Sequence, residues 1–247
     1  MDLGLAGKLA IVTGASKGIG AATARRLARE GCDLVLVARS AGDLEGLARS
    51  IAAESGRRAT PFAADLSRSE EVLRLSASWA AADILVNNAG AIPGGRLSEV
   101  DEAAWRAAWD LKVFGYINLT RQLFTAMQAR RSGVIVNVIG AAAQIRDPSY
   151  ICGVAGNAAL TAFTLSLGSD SHHHGVRVVG VSPGPVATER LAQLQQGVSS
   201  SAARPFGRAA APDEIASAVA FLASTASGYT SGTVLMVDGG LSARAAS

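Results

Sequence analysis

Cysteine is scarce in this chain of 247 residues: Cys32 and Cys152 are the only two. That scarcity excludes a disulfide scaffold and a CxxC metal or redox motif, and it leads us to expect a reducing, cytoplasmic setting. Charge is thin as well, at 17% of residues, and nearly balanced, with 23 basic against 20 acidic side chains and a net of +3. So small a surplus, without a run of Arg and Lys, argues against nucleic acid as a partner. No apolar run of about 18 residues is uninterrupted, so no membrane span is expected. The opening MDLGLAGKLAIVTG has an acid at Asp2 and no basic region before its apolar residues, unlike a secretory signal. The only histidines are the run His172-His173-His174. Three adjacent residues cannot face one ion from a regular helix, so no metal site is expected. What is abundant is apolar residues, at 49%, with 27 glycines. That is the composition of one globular domain with a substantial core.

Along the chain, short apolar runs alternate with helical patterns. Strands are expected at Leu9–Val12, Leu34–Val37, Ala59–Ala63, Ile84–Val86, Val134–Val138, Val176–Val181 and Val234–Val237. Helices are expected at Ala21–Glu30, Leu44–Ala53, Glu70–Ser78, Ala155–Leu167 and Asp213–Ala223, with a long one over Glu102–Arg130 broken near Gly115. Apolar runs without alternation suit strands buried on both faces. Strand-helix alternation then implies an α/β fold, a single doubly wound parallel sheet with helices on both faces. The long irregular stretch from Pro183 to Pro212 contains GVSSSAARPFG, and its portion at about 189–207 is a candidate lid. Arg204 within it is a candidate partner for a substrate carboxylate or an ordinary exposed arginine.

The first strand runs directly into Thr13-Gly14-Ala15-Ser16-Lys17-Gly18-Ile19-Gly20, which opens the first helix. Glycines there permit a tight turn and close approach of backbone amides to a pyrophosphate, and the helix N-terminus adds positive potential. The spacing is GxxxGxG rather than the GxGxxG of the standard fingerprint. At the tip of the second strand a carboxylate would hold the ribose 2′-hydroxyl of NAD. This chain has Ala38-Arg39-Ser40 instead. Arg39 suits a 2′-phosphate, with Lys17 as a second cation, so NADP(H) is expected in preference to NAD(H).

These motifs resemble those of the short-chain dehydrogenase/reductase family over nearly the whole chain. TGASKGIG is similar to the family's cofactor turn. Asp65-Leu66 is similar to the acid that meets adenine. Asn87-Asn88-Ala89-Gly90 resembles the NNAG motif, and Pro183-Gly184-Pro185-Val186-Ala187-Thr188 the loop that holds the nicotinamide carboxamide. The resemblance implies a Rossmann-type fold and an oxidoreductase that moves hydride between a nicotinamide and a carbonyl or alcohol. It also implies a homo-oligomer, a dimer or tetramer, in which Leu160, Phe163 and Leu167 are a candidate interface stripe.

The family's usual Ser-Tyr-Lys-Asn set is where the chain departs from the pattern. Aligning the motifs puts Gly140 at the serine, Gly153 at the tyrosine, Asn157 at the lysine and Lys112 at the asparagine. Lys112 and Asn157 read as an exchange across the active site, with Lys112 reaching a ribose or water or else pointing to solvent. Tyr150, three residues before Gly153, is a candidate proton donor or a pocket-wall aromatic. Gly153 and Gly156 either open space for a larger substrate or let the cofactor or a neighbouring helix come close. Cys152 is a candidate thiol or a small buried side chain. Trp105 and Trp109 share a helical face and suit core, interface or a substrate box. The alternative to an enzyme with a non-standard set is an inactive NADP(H)-binding protein, a sensor or a partner subunit. A third possibility is a non-redox lyase or isomerase on the same scaffold.

Overall fold

The computed structural model describes residues 2–195 and 205–244. Seven strands, β1 (Leu9–Thr13), β2 (Asp33–Ala38), β3 (Ala59–Ala63), β4 (Ile84–Asn87), β5 (Gly133–Val138), β6 (Val176–Pro183) and β7 (Thr233–Val237), form one sheet. Its order is β3-β2-β1-β4-β5-β6-β7. Every pairing is parallel. Between β1 and β4 the direction of winding reverses, which leaves a crevice beyond the carboxyl ends of these strands.

Each central strand is apolar on both faces because each face carries its own layer of helices. Ala10 and Val12 point into one core with Leu27 of α1 (Gly18–Arg29), Leu44 and Ile51 of α2 (Ala41–Ser55) and Val219 of α9 (Pro212–Ala223). Ile11, between them, points the other way, against Leu75 of α3 (Ser69–Ser78) and Leu119 and Leu123 of α5 (Gly115–Ala129). Each such aliphatic side chain removed from water contributes about 1.5–3 kcal/mol. A polar seam joins the strands nearest the crevice. Asn87 donates to Asn137 at 2.9 Å and Thr120 at 3.0 Å, and Asn137 donates to Thr164 at 2.9 Å.

The long helix is interrupted just before the expected place. After α4 (Glu102–Trp109) comes a π-helical turn at Asp110–Phe114, and only then α5. Gly115 sits where a side-chain carbon would lie 3.2 Å from the Leu66 carbonyl, tighter than most such contacts, so glycine eases this approach. A π turn widens the helix and redirects its side chains, here including Lys112. The helix expected at Ala155–Leu167 is longer, α7 (Ile151–Asp170), since apolar side chains continue to both sides of the expected bounds. Together with the 3-10 turn Ser171–His174 it is long and apolar enough by composition to cross a bilayer. Here it packs against β6 and β7. Of its candidate stripe, Leu160 is fully buried, Leu167 packs on the sheet core, and Phe163 is half-buried.

One short helix, α8 (Glu189–Gln195), falls in the stretch expected to be irregular, and two more, α6 (Ala142–Ile145) and α10 (Leu241–Arg244), fall where no element was assigned. The candidate lid therefore begins as a helix. Its residues 196–204, with Arg204, lie outside the described residues.

Candidate active site

The crevice has two walls. The first is the glycine turn. Gly14 and Gly18 have φ of +64° and +57°, which favour glycine. A side-chain carbon on Gly20 would lie 2.6 Å from the Asn88 amide nitrogen and closer still to the Gly14 carbonyl, so α1 rests directly on the turn. No side chain caps α1 and no acid occupies its first turn. Its first amides, at Gly18, Ile19 and Gly20 after Ser16 and Lys17, thus present an uncapped positive end. Thr13 fastens this turn to the next segment: its hydroxyl accepts from the Asn88 and Ala89 amides at 2.8 and 3.1 Å and donates to Val86 at 3.2 Å. Gly90 lies beside Lys112, 3.0 Å from its side chain at the nearest point for an added carbon.

At the tip of β2, Arg39 and Ser40 are exposed, and Ser40 caps α2 through the Asp43 amide at 3.4 Å. Among the described residues no carboxylate forms an ion pair with Arg39. Asp65 stands nearby. Burial raises its carboxyl, but bonds from the Ser67 hydroxyl and amide and the charges of Arg39 and Arg68 outweigh this and hold it below the usual carboxylate range. Leu66 beside it is buried. Lys17, expected with Arg39, instead pairs with Glu189 at 2.7 Å. Both side chains are largely exposed, so the pair is weak and exchangeable.

The second wall is the loop from Pro183 to Thr188. Gly184 packs against Asp238, Val186 is buried, and Ala187 donates to Ala210 at 2.8 Å. Thr188 reaches the face of Gly18 across the crevice.

At the exit of β5 the chemistry-bearing side chains converge. Lys112 turns inward rather than to solvent and donates to the Ile139 carbonyl at 2.6 Å. Burial, with the Arg190 charge, pushes its pKa down from 10.5 to about 8. The next residue is Gly140, with φ of +137°. A side-chain carbon there would lie 2.9 Å from the Asn157 amide nitrogen, so the Asn157 amide sits against the bare glycine. Asn157 is 3% exposed, and its Oδ1 has no hydrogen-bond partner. Lys112 and Asn157 thus meet at one peptide, Ile139–Gly140.

Tyr150 occupies the space that a side chain on Gly153 would fill. A carbon added to Gly153 would lie 2.6 Å from Cδ1 of its ring and closer still to Cε1 and Cζ. Tyr150 precedes the first residue of α7 with a non-helical φ of −134° and ψ of 36°. That conformation lets the ring fold back over the first turn. Gly153 therefore opens no room for a larger substrate. Gly156 serves close helix approach instead, since a carbon there would lie 3.3 Å from Val113 and 3.4 Å from the Trp109 indole nitrogen. Cys152 is buried, its thiol pKa is raised by burial, and Trp109 donates to its carbonyl at 3.4 Å. Trp105 and Trp109, with ring centroids 6.4 Å apart, pack against the cluster of Ile92 and Cys152 and also line a surface groove with Leu97 and Phe114.

Arg190, on α8, hydrogen-bonds the Ile92 carbonyl, across 98 positions of sequence. Ile92 belongs to the cluster on which Tyr150 packs. Burial raises the Tyr150 phenol, while the positive charge of Arg190 acts to lower it. No local pattern in the sequence signals this meeting. His172 and His173 stack on each other, and His174 contacts Gln128.

A parallel sheet wound about a switch point, with an uncapped helix end and an Asn-tethered turn at that point, defines a Rossmann-type dinucleotide-binding domain. The chain belongs to the short-chain dehydrogenase family, whose model matches residues 8–199. It is 39% identical to the cis-4-hydroxycyclohexanecarboxylate dehydrogenase of Sinomonas cyclohexanicum, with 98% of this chain and 100% of the relative covered. It is 34% identical to the acetoacetyl-CoA reductase of Allochromatium vinosum, covering 95% of this chain and 98% of that one. Among solved structures, the L-sorbose reductase of Gluconobacter frateurii, in complex with NADPH and L-sorbose, matches at a TM-score of 0.89 and 32% identity, over 98% of each chain. A 7α-hydroxysteroid dehydrogenase with NADH matches at 0.89 and 28% identity, over 97% of this chain and 96% of that one. The fold carries either nicotinamide cofactor, so the choice rests on the side chains of each member.

Proposed function

We infer that the protein is an NADP(H)-dependent oxidoreductase acting on a carbonyl or secondary alcohol, with Tyr150 as its proton-transfer group. The observation that carries this reading is the Tyr150 ring lying over the bare Gly153, where the family pattern has its tyrosine. On this reading Tyr150 supplies the phenol from a position three residues earlier.

The residues present fit the cofactor. The uncapped start of α1 suits a pyrophosphate, Arg39 a 2′-phosphate, and the unpartnered Asn157 Oδ1 a ribose hydroxyl. Gly14, Ser16, Gly18, Ile19 and Gly20 would line the phosphates, Ser40, Asp65, Leu66, Asn88, Ala89 and Gly90 the adenosine, and Pro183, Gly184, Val186 and Thr188 the nicotinamide. Lys17 would exchange Glu189 for a phosphate. When bound, the nicotinamide supplies or accepts the hydride.

During reduction the Tyr150 O–H bond breaks as its proton passes to the substrate oxygen, leaving a phenolate that solvent reprotonates. Oxidation is the reverse. Lys112, with a pKa near 8, is poised to relay that proton or to hold a ribose hydroxyl. The relatives named for ring-borne hydroxyls, including a 3β-hydroxysteroid dehydrogenase of Eggerthella lenta at 34% identity, support cyclic secondary alcohols as the first substrates to try. The exposed apolar groove of Leu97, Trp105, Trp109 and Phe114 supports a homo-oligomer.

The test is turnover of NADPH and NADH on a panel of cyclic ketones and alcohols, with Tyr150→Phe alongside. Loss of about 10²–10⁴-fold in kcat with unchanged NADPH binding, followed by nicotinamide fluorescence, is expected. Full activity in Tyr150→Phe would overturn the role of the phenol. Binding without turnover on any substrate would instead mark a nucleotide-binding protein.

A further inference from the structure

A phenol that gives up its proton needs a cation beside it. In this chain α7 offers none: Asn157, one turn beyond Gly153, is uncharged, and the residue one turn beyond Tyr150 is Val154. Lys112 is held at the Ile139 carbonyl, and burial brings its pKa to about 8, below the range in which a buried phenol ionises. A guanidinium keeps its charge throughout. Arg190 is that guanidinium. It reaches the site from α8, on the opposite wall, and the Ile92 carbonyl holds it there. Ile92 in turn lies in the cluster that packs against Tyr150. The same stretch is tied to Tyr150 directly, by a bridge between Gly95 and Tyr150 and a bond from the Gly95 amide to the Ser149 carbonyl at 2.7 Å. Arg190, the Ile92–Gly95 loop and Tyr150 therefore form one packed unit. Among the described residues Arg190 has no carboxylate partner, since its neighbour Glu189 pairs with Lys17.

We propose that Arg190 is the positioning residue for Tyr150, a cation delivered from α8 that orients the phenol and stabilises its phenolate. The inference rests on the reading of Tyr150 as the proton-transfer group. It places the cation on α8, where the Ile92 carbonyl holds it. Two titratable groups act on the phenol among the described residues: Arg190 from α8 and the Cys152 thiol from α7 itself, the latter opposing ionisation. An opposite charge at such range shifts a pKa by about one to three pH units.

The test uses the full chain labelled with 13Cζ-tyrosine. The chain has three tyrosines, so Tyr150→Phe assigns the Tyr150 signal by its loss. Wild type, Arg190→Met and Arg190→Lys are then titrated by NMR over the pH range in which all remain folded. The expected result is that Arg190→Met moves ionisation of Tyr150 upward by at least one unit, a tenfold smaller phenolate fraction at a given pH, and that Arg190→Lys restores only part of it, because an ammonium loses its charge in the same range. The same shift should appear in the alkaline profile of kcat for alcohol oxidation. If Tyr150 carries the same phenolate fraction in wild type and Arg190→Met at every such pH, the proposal falls. A shift in the titration combined with full activity of Tyr150→Phe would instead leave the Arg190 contact standing and remove the catalytic reading of Tyr150.

Discussion

Gly153→Ala is the sharpest probe of the site's construction, because its effect should change sign with the residue at position 150. In most helices this substitution stabilises by up to about 1 kcal/mol, since alanine loses less backbone entropy. Here the new methyl would lie 2.6 Å from one atom of the Tyr150 ring and closer to two others. Ordinary carbon contacts need about 3.5 Å or more, so the ring must retreat by about 1 Å. It has little freedom to do so, since it packs on the cluster of Ile92, Val100, Ala108 and Cys152. Overpacking of this kind costs about 1–3 kcal/mol. Gly153→Ala alone should therefore be destabilising by about 1 kcal/mol. In a Tyr150→Ala background the clash is gone, and the same change should stabilise by up to about 1 kcal/mol. Urea unfolding of the four proteins closes the cycle, with the coupling read from midpoints at constant slope. A coupling energy near zero, with Gly153→Ala stabilising both backgrounds alike, would refute the placement of the Tyr150 ring and with it the case for a displaced phenol.

Two further outcomes follow from the charges. Arg39→Asp should weaken NADPH binding by about 10–150-fold, the worth of a charge-assisted hydrogen bond, and leave NADH binding equal or tighter; parallel fluorescence titrations read both. Lys112→Met should flatten the alkaline stability profile. The unfolded chain keeps this proton to pH 10.5, whereas the folded chain releases it near 8. Between these values the unfolded state binds more protons, so wild-type stability gains a rising contribution as pH climbs through that window. Urea midpoints from pH 7 to 10 should show the rise in wild type and its loss in Lys112→Met. An identical profile in the two proteins would contradict the buried ammonium.

The fold was legible because its signal is repeated. Each of β1, β2, β4 and β6 carries apolar residues on both faces, and α1, α2, α5 and α9 each bury a stripe in one of two cores. The cofactor turn was legible for a similar reason: Gly14, Gly18 and Gly20 stand together in sequence because the turn needs them together in space. The inward turn of Lys112 was not legible, since a π-helical step redirects it and nothing local to Asp110–Phe114 announces that step. Nor was the position of Tyr150, which depends on a single non-helical residue before α7. Glycine at 153 reads in sequence as a vacancy, yet the structure fills it with the ring of a neighbour. Arg190 lay beyond reach altogether, for its partner Ile92 is remote along the chain.

The Thr13 hydroxyl, which fastens the glycine turn to the Asn88–Ala89 segment, has a consequence for where the two walls of the crevice are joined. One wall is a single bonded unit, and the facing wall meets it at two unequal points. The exposed pair Lys17–Glu189 is worth about 0–1 kcal/mol, so an anionic nucleotide would take Lys17 from it at little cost. Arg190, one residue along from Glu189, is held separately at the Ile92 carbonyl, so loss of the first contact does not by itself release the second.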